Sequence, residues 1–175
     1  MQKKKAFVAM PTALMTLRVL IFLNWVYVAV LLALLTASFV SAAFLLKALH
    51  VASLAENPRI LLGLRTIIGL GILCVPFNLA LLRRLMAIVE TVRAGDPFVA
   101  ANADRLQAIA WIQLALQLIS ITVGAVGSAV STSGHELHLD AGFSPSAWLA
   151  VVMTFVLARV FADGAAMRED LEGTV

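Results

Sequence analysis

Four runs of apolar residues, from about Val19 to Leu46, Ile60 to Leu82, Leu106 to Val130 and Ala147 to Ala162, constrain this chain more than any motif in it. A bilayer core takes about 20 residues of helix, so the first three runs are long enough to cross it and the short fourth run nearly so. A soluble domain has no use for that much apolar surface. Of the 175 residues, 62% are hydrophobic and 13% charged, whereas an ordinary core is built when about half the residues are apolar. The surplus faces lipid. The expected fold class is all-α: a polytopic membrane protein, a four-helix bundle whose four transmembrane helices carry cytoplasmic helix extensions, forming a single domain over residues 1–175.

The cations orient these helices. Lys3, Lys4, Lys5 and Arg18 precede the first run, Arg83, Arg84, Arg93 and Arg105 lie between the second and third, and only Lys47 and Arg59 fall between the first and second. Under the positive-inside rule, both termini and the Arg83–Arg105 connector share the cytoplasmic side. The net charge of +3 is thereby accounted for, and direct nucleic-acid binding is not expected. The N-terminal lysines could begin a signal peptide, but the apolar run after them is about 28 residues, well beyond a secretory core of roughly 7 to 15. One cysteine, Cys74, offers neither a disulfide framework nor metal-thiolate spacing. No cofactor is called for.

Within the first run, Ala29, Ala33, Ala37 and Ser41 recur every four residues and would admit a neighbouring helix closely. Arg65 sits just inside the second run. It is either a cation on a substrate path or a side chain snorkelling to headgroups, and its shallow depth favours the second. Pro76 should loosen this helix, with Asn78 placed to satisfy a freed carbonyl. Leu82, Leu85, Val89 and Val92 continue a helical stripe past the membrane. Gly95 then supplies a left-handed stop, and Asp96-Pro97 reads as an N-cap followed by Pro at the first helical position, with Asn102 as a second candidate cap.

The third run holds the most regular pattern: Leu106, Gln113, Gln117, Ser120, Gly124, Gly127 and Ser131. From Gln113 onward, spacings of four and three put small and polar groups on one seam, read as helix packing rather than a polar pathway because no ionisable group lies in it. The loop after it contains His135, Glu136, His138 and Asp140. The two histidines are three apart, not the four of the helical zinc motif, so a solvated loop is expected and no metal site. Arg159 and Asp163, one turn apart, should pair where the fourth helix leaves the membrane and runs on. The acidic tail (Glu169, Asp170, Glu172) is then expected to dock on the basic connector, with Val160, Met167 and Leu171 covering Leu85, Val89 and Val92.

Two segments carry a likeness. Gly95-Asp96-Pro97-Phe98 with Asn102 and Arg105-Leu106 after it, and the ending from Val160 to Val175 with Phe161, Gly164, Asp170 and Thr174, resemble the bacterial four-helix membrane family called domain of unknown function 2975. That family has a Gly-x-Pro-Phe pattern followed by Asn and Arg-Leu, and a Phe-x-x-Gly-x-x-Leu-x-x-Asp pattern closed by Thr and an aliphatic residue. Met167 stands here where Leu is usual. The likeness covers nearly the whole chain in layout. It implies a bacterial cytoplasmic (inner) membrane protein with no established activity. Because members are often encoded beside a small helix-turn-helix regulator of the Xre type, it also implies a cytoplasmic transcriptional regulator as partner.

The function expected is that of a regulatory or scaffold protein whose cytoplasmic face binds such a soluble partner. Arg93, Gly95, Asp96, Pro97, Phe98, Asn102, Arg105, Phe161, Gly164 and Asp170 are the candidate partner-binding residues. A small transporter or channel subunit is the alternative, and only Asn24, Arg65, Asn78 and the third-helix seam could line its path. An enzyme is not expected, since no nucleophile and base come together in the sequence and no catalytic residue can be named. Besides the bilayer and the regulator, a second copy of the chain is an open partner.

Overall fold

Long helices follow from long apolar runs with few breakers, and the computed structural model of the chain shows four of them across the residues it describes, 2–41, 58–130 and 141–173. They are α1 (Gln2–Val40), α2 (Pro58–Arg93), α3 (Ala100–Val130) and α4 (Pro145–Gly173). Within them Thr12–Val40, Arg59–Arg93, Ala100–Val130 and Pro145–Leu171 are long and apolar enough to cross a membrane. At about 1.5 Å per residue, the 36 residues of α2 reach roughly 54 Å, well beyond a hydrocarbon core of about 30 Å. The extension of the second and fourth helices past their apolar runs is thus observed. All-α, with four helices able to span a membrane, is the class read from the sequence.

The chain packs as two compact units, one of Met1–Leu23, Phe77–Ala115 and Pro145–Val175, the other of Asn24–Pro76 and Leu116–Ser144. In the second unit Ile60, Leu64 and Ile68 form a buried row along α2, with Leu31, Leu34 and Leu35 of α1 and Val130 of α3 against it. The face of α1 that packs is therefore not the alanine stripe. Ala29 and Ala33 are exposed, while Asn24 and Ser38 are buried at 8% and 1% exposure. Two polar groups chose the face. The Asn24 amide donates to the Val75 carbonyl at 3.4 Å, one residue before Pro76; the carbonyl that Pro76 leaves without a helical donor is that of Ile72.

Arg65, read from the sequence as snorkelling, is held by protein groups. Its Nε donates to Ser38 Oγ and its Nη2 to the Ser38 carbonyl, both at 2.6 Å, and its guanidinium lies 4.4 Å from the Phe39 ring centre. Ser38 is in the last turn of α1, where carbonyls lack helical partners and the helix dipole is negative. Arg65 thus caps α1, which ends at Val40, short of the expected Leu46; residues 42–57 lie outside the described ones. At its other end α1 begins at Gln2 and runs through Pro11.

The α3 seam does face protein, but its partner is a loop backbone. Gln117 Nε2 donates to the Gly142 carbonyl at 3.2 Å, and Ser120 Oγ accepts from the Gly142 amide at 3.2 Å. A Cβ on Gly124 would sit 2.8 Å from the Ala141 carbonyl oxygen and 2.9 Å from Gly142 Cα. In the first unit, Gln113 keeps a buried Oε1 with no hydrogen bond, so the seam is not satisfied along its whole length. The candidate metal loop, His135 to Asp140, lies outside the described residues.

Gly124→Ala should lower the stability of the detergent-solubilised protein by about 1–3 kcal/mol, because the backbone it would strike cannot swing aside as a side chain can. Gly69, also helical, has open space around its missing Cβ, and Gly69→Ala should be neutral or stabilising by up to about 1 kcal/mol. Thermal unfolding of the two variants followed by circular dichroism checks the contrast.

Candidate functional site at the turn between α2 and α3

A six-residue connection, Ala94 to Val99, joins α2 to α3 and is held closed by its own backbone. Gly95 takes a φ of 89°, a conformation that costs other residues dearly. Its amide donates to the Val92 carbonyl at 3.1 Å and the Asp96 amide to the Thr91 carbonyl at 3.0 Å. That pair of bonds is the Schellman stop, as the sequence led one to expect. The helix start differs. Asp96 to Val99 lie outside any helix, and α3 begins at Ala100; the Pro97 carbonyl and the Asp96 carboxylate are both engaged elsewhere.

Asn102 engages the first of them, and it is no cap. It lies inside α3 with 0% exposure. Its Nδ2 donates to the Pro97 carbonyl at 2.9 Å and to Thr91 Oγ1 at 2.7 Å, and its Oδ1 accepts from Arg105 Nη1 at 2.7 Å. Thr91 Oγ1 donates to the Ile88 carbonyl at 2.7 Å, which leaves its lone pairs for the amide. One side chain therefore ties the end of α2, the turn and the first turns of α3. An aspartate is isosteric here, but it would present acceptors to two acceptors.

The second segment meets this turn. The Phe98 ring packs on Phe161 of α4 with centres 5.2 Å apart and planes tilted by 38°. Gly164 makes room for it, since a Cβ there would fall 2.9 Å from Phe98 Cδ1. Arg168 closes the contact with an ion pair to Asp96. Phe161, Gly164 and Arg168 are three and four residues apart, hence on one face of α4. Around them Ala103, Leu106, Ile109 and Ala110 of α3 and Val151, Ala158 and Ala165 of α4 are buried, and Trp111 meets Phe155 edge to face with centres 5.3 Å apart.

Of the ten expected site residues, Gly95, Asp96, Pro97, Phe98, Asn102, Arg105, Phe161 and Gly164 come together here. Asp170 is exposed on α4 two residues past Arg168, and Arg93 lines a different groove. Thr91 and Arg168 were missed. Thr91 carries no signal in one sequence, but the spacing of Arg168 from Phe161 and Gly164 does. The tail docks on the connector, yet with the charges reversed: the tail gives the cation and the turn the carboxylate. Nor does its apolar stripe become cover, as Val160, Met167 and Leu171 are 55%, 63% and 71% exposed. The i,i+4 pair of Arg159 and Asp163 is present at 3.1 Å. Among the described residues no three His, Cys, Asp or Glu side chains gather to hold a metal ion.

A family model described as "Protein of unknown function (DUF2975)" matches residues 56–175, so the chain belongs to that family. The matched stretch takes in α2, α3 and α4, and α1 lies before it; the likeness is narrower than the layout suggested. No curated protein and no solved structure matches the chain.

Asn102→Asp should destabilise the protein by about 1–3 kcal/mol, since the Pro97 carbonyl and Thr91 hydroxyl lose a buried donor. Arg168→Ala should cost only about 0–1 kcal/mol, because the Arg168 and Asp96 side chains are 44% and 39% exposed and water screens such a pair. Unfolding midpoints in mild detergent rank the two, and equal losses would refute this assignment of strength.

Proposed function

We propose that this member of the DUF2975 family is a multi-pass inner-membrane protein that holds a soluble regulatory protein on the surface where the α2–α3 turn meets α4, with that surface and both termini in the cytoplasm. The observation that carries the proposal is the gathering of the family's two motif segments into one fixed surface. Asn102 sets the turn, Phe98 and Gly164 seat α4 on it, and neither feature resembles machinery for chemistry.

Beside the seat, Met167 and Leu171 are exposed among Arg168, Glu169, Asp170 and Glu172. Exposed apolar side chains on a membrane helix ordinarily meet lipid, but four charges in five residues belong in water. An apolar patch in water calls for a protein partner. Three of the four charges are acidic, which suits a partner with a basic face of the kind DNA-binding proteins carry. A helix-turn-helix regulator held here would have its basic surface covered by carboxylates instead of phosphates, so binding to the membrane protein and to DNA would compete. A solute path is less well supported. Asn24, Arg65 and Gln117 each donate to a backbone carbonyl, which is the work of polar groups that hold helices together.

The experiment is affinity capture from the native host in mild detergent, comparing wild type with Met167→Glu/Leu171→Glu, alongside a reporter fused after Val175. A basic DNA-binding protein recovered in stoichiometric amount with wild type and lost with the double variant, with the reporter active in the cytoplasm, is the expected result. A homo-oligomer free of other proteins that passes solute in liposomes, or a reporter active outside, overturns the proposal.

A further inference from the structure

We infer that the groove between α1 and the end of α2 is a binding site for an anionic phospholipid, with Arg18 and Arg93 holding the headgroup phosphate and α1 guiding an acyl chain. The groove has a volume of about 600 Å³ and is lined by Leu14, Met15, Arg18, Val19, Phe22 and Arg93. On α1 the residues Leu14, Arg18 and Phe22 are spaced by four, and Met15, Val19 and Phe22 by four and three, so one helix face carries a single cation among apolar side chains. Arg93 is the last residue of α2, where a cation suits the helix dipole.

The charge identifies the occupant. Two guanidiniums line the same groove, and among the described residues no carboxylate lines it and no acidic side chain is paired with either. Like charges lining one groove repel, and a bound anion removes that cost. The apolar part argues against a small free anion: Met15, Val19 and Phe22 are 70%, 49% and 66% exposed in a helix whose continuation is apolar enough to cross a membrane. An occupant with a negative headgroup and a hydrocarbon tail satisfies both halves, as basic grooves beside membrane helices generally do with acidic lipids. A zwitterionic lipid brings its own cation and leaves the arginines uncompensated. This site is independent of the proposed partner surface.

The test is native mass spectrometry and thermal unfolding of the full-length protein in a neutral detergent, with phosphatidylglycerol or phosphatidylcholine of the same acyl chains, or inorganic phosphate. Phosphatidylglycerol is expected to remain bound and raise the melting temperature more than phosphatidylcholine, while phosphate does neither. Arg18→Gln/Arg93→Gln should weaken phosphatidylglycerol binding by roughly tenfold or more, and Arg18→Lys/Arg93→Lys should retain most of it. If the double glutamine variant does not fold, Arg93→Gln alone, at an exposed helix end, must show the loss. Equal binding of the two lipids, an equal effect of phosphate, unchanged selectivity in the glutamine variants, or a second copy of the chain occupying the groove in place of lipid would each overturn the inference.

Discussion

A helix in hydrocarbon must satisfy its backbone polar groups from within the protein, because no water is there to do it. Regular helix does so unaided, and the demands concentrate where it is interrupted. Where α1 ends, Arg65 donates to the Ser38 carbonyl, and before α4 Gln117 donates to that of Gly142; Asn24 adds a bond to the Val75 carbonyl within α2, and Asn102 does the same for Pro97 in the turn between α2 and α3, beyond the apolar run. Close backbone approaches, at Gly124 against Ala141 and Gly142 and at Gly164 against Phe98, are the steric counterpart of the same economy.

Magnitudes decide what holds the motif-bearing surface together. The Asp96–Arg168 pair is partly exposed and worth about 0–1 kcal/mol. The paired rings of Phe98 and Phe161 add about 0.5–1.5 kcal/mol beyond their burial, and the network around the buried Asn102 prevents a loss of about 1–3 kcal/mol for each buried group it satisfies. Strength therefore lies in the amide and the rings, and the ion pair contributes register. This is why the reversed charges of the tail docking do not weaken it.

Length, hydropathy and helix number were legible in the sequence because each depends on runs of residues, and a run averages out single errors. The Gly95 stop was legible too, since a positive φ leaves few residues to choose from. Which face of α1 packs was not: the alanine repeat and the Asn24–Ser38 face both have helical spacing, and only the partner across from them, Val75 or Arg65, distinguishes them. Asn102 looked like a cap because asparagine usually is one near a helix start, and its true role depends on Thr91 and Pro97 lying within reach of one amide. The docking of α4 was readable as an attraction of opposite charges but not in its pairing, since the tail and connector each hold charges of both signs.

The central claim is that the turn between α2 and α3 and the extension of α4 form one surface. Cross-linking of paired cysteines in native membranes, in a Cys74→Ser background, tests it most directly. With Phe98→Cys and Gly164→Cys, where a Cβ on Gly164 would lie 3.8 Å from Phe98 Cγ, within reach of a disulfide, a bridge should form rapidly. With Val92→Cys and Leu171→Cys, where Leu171 is 71% exposed, little should form. Absence of the first cross-link, or dominance of the second, would contradict the account.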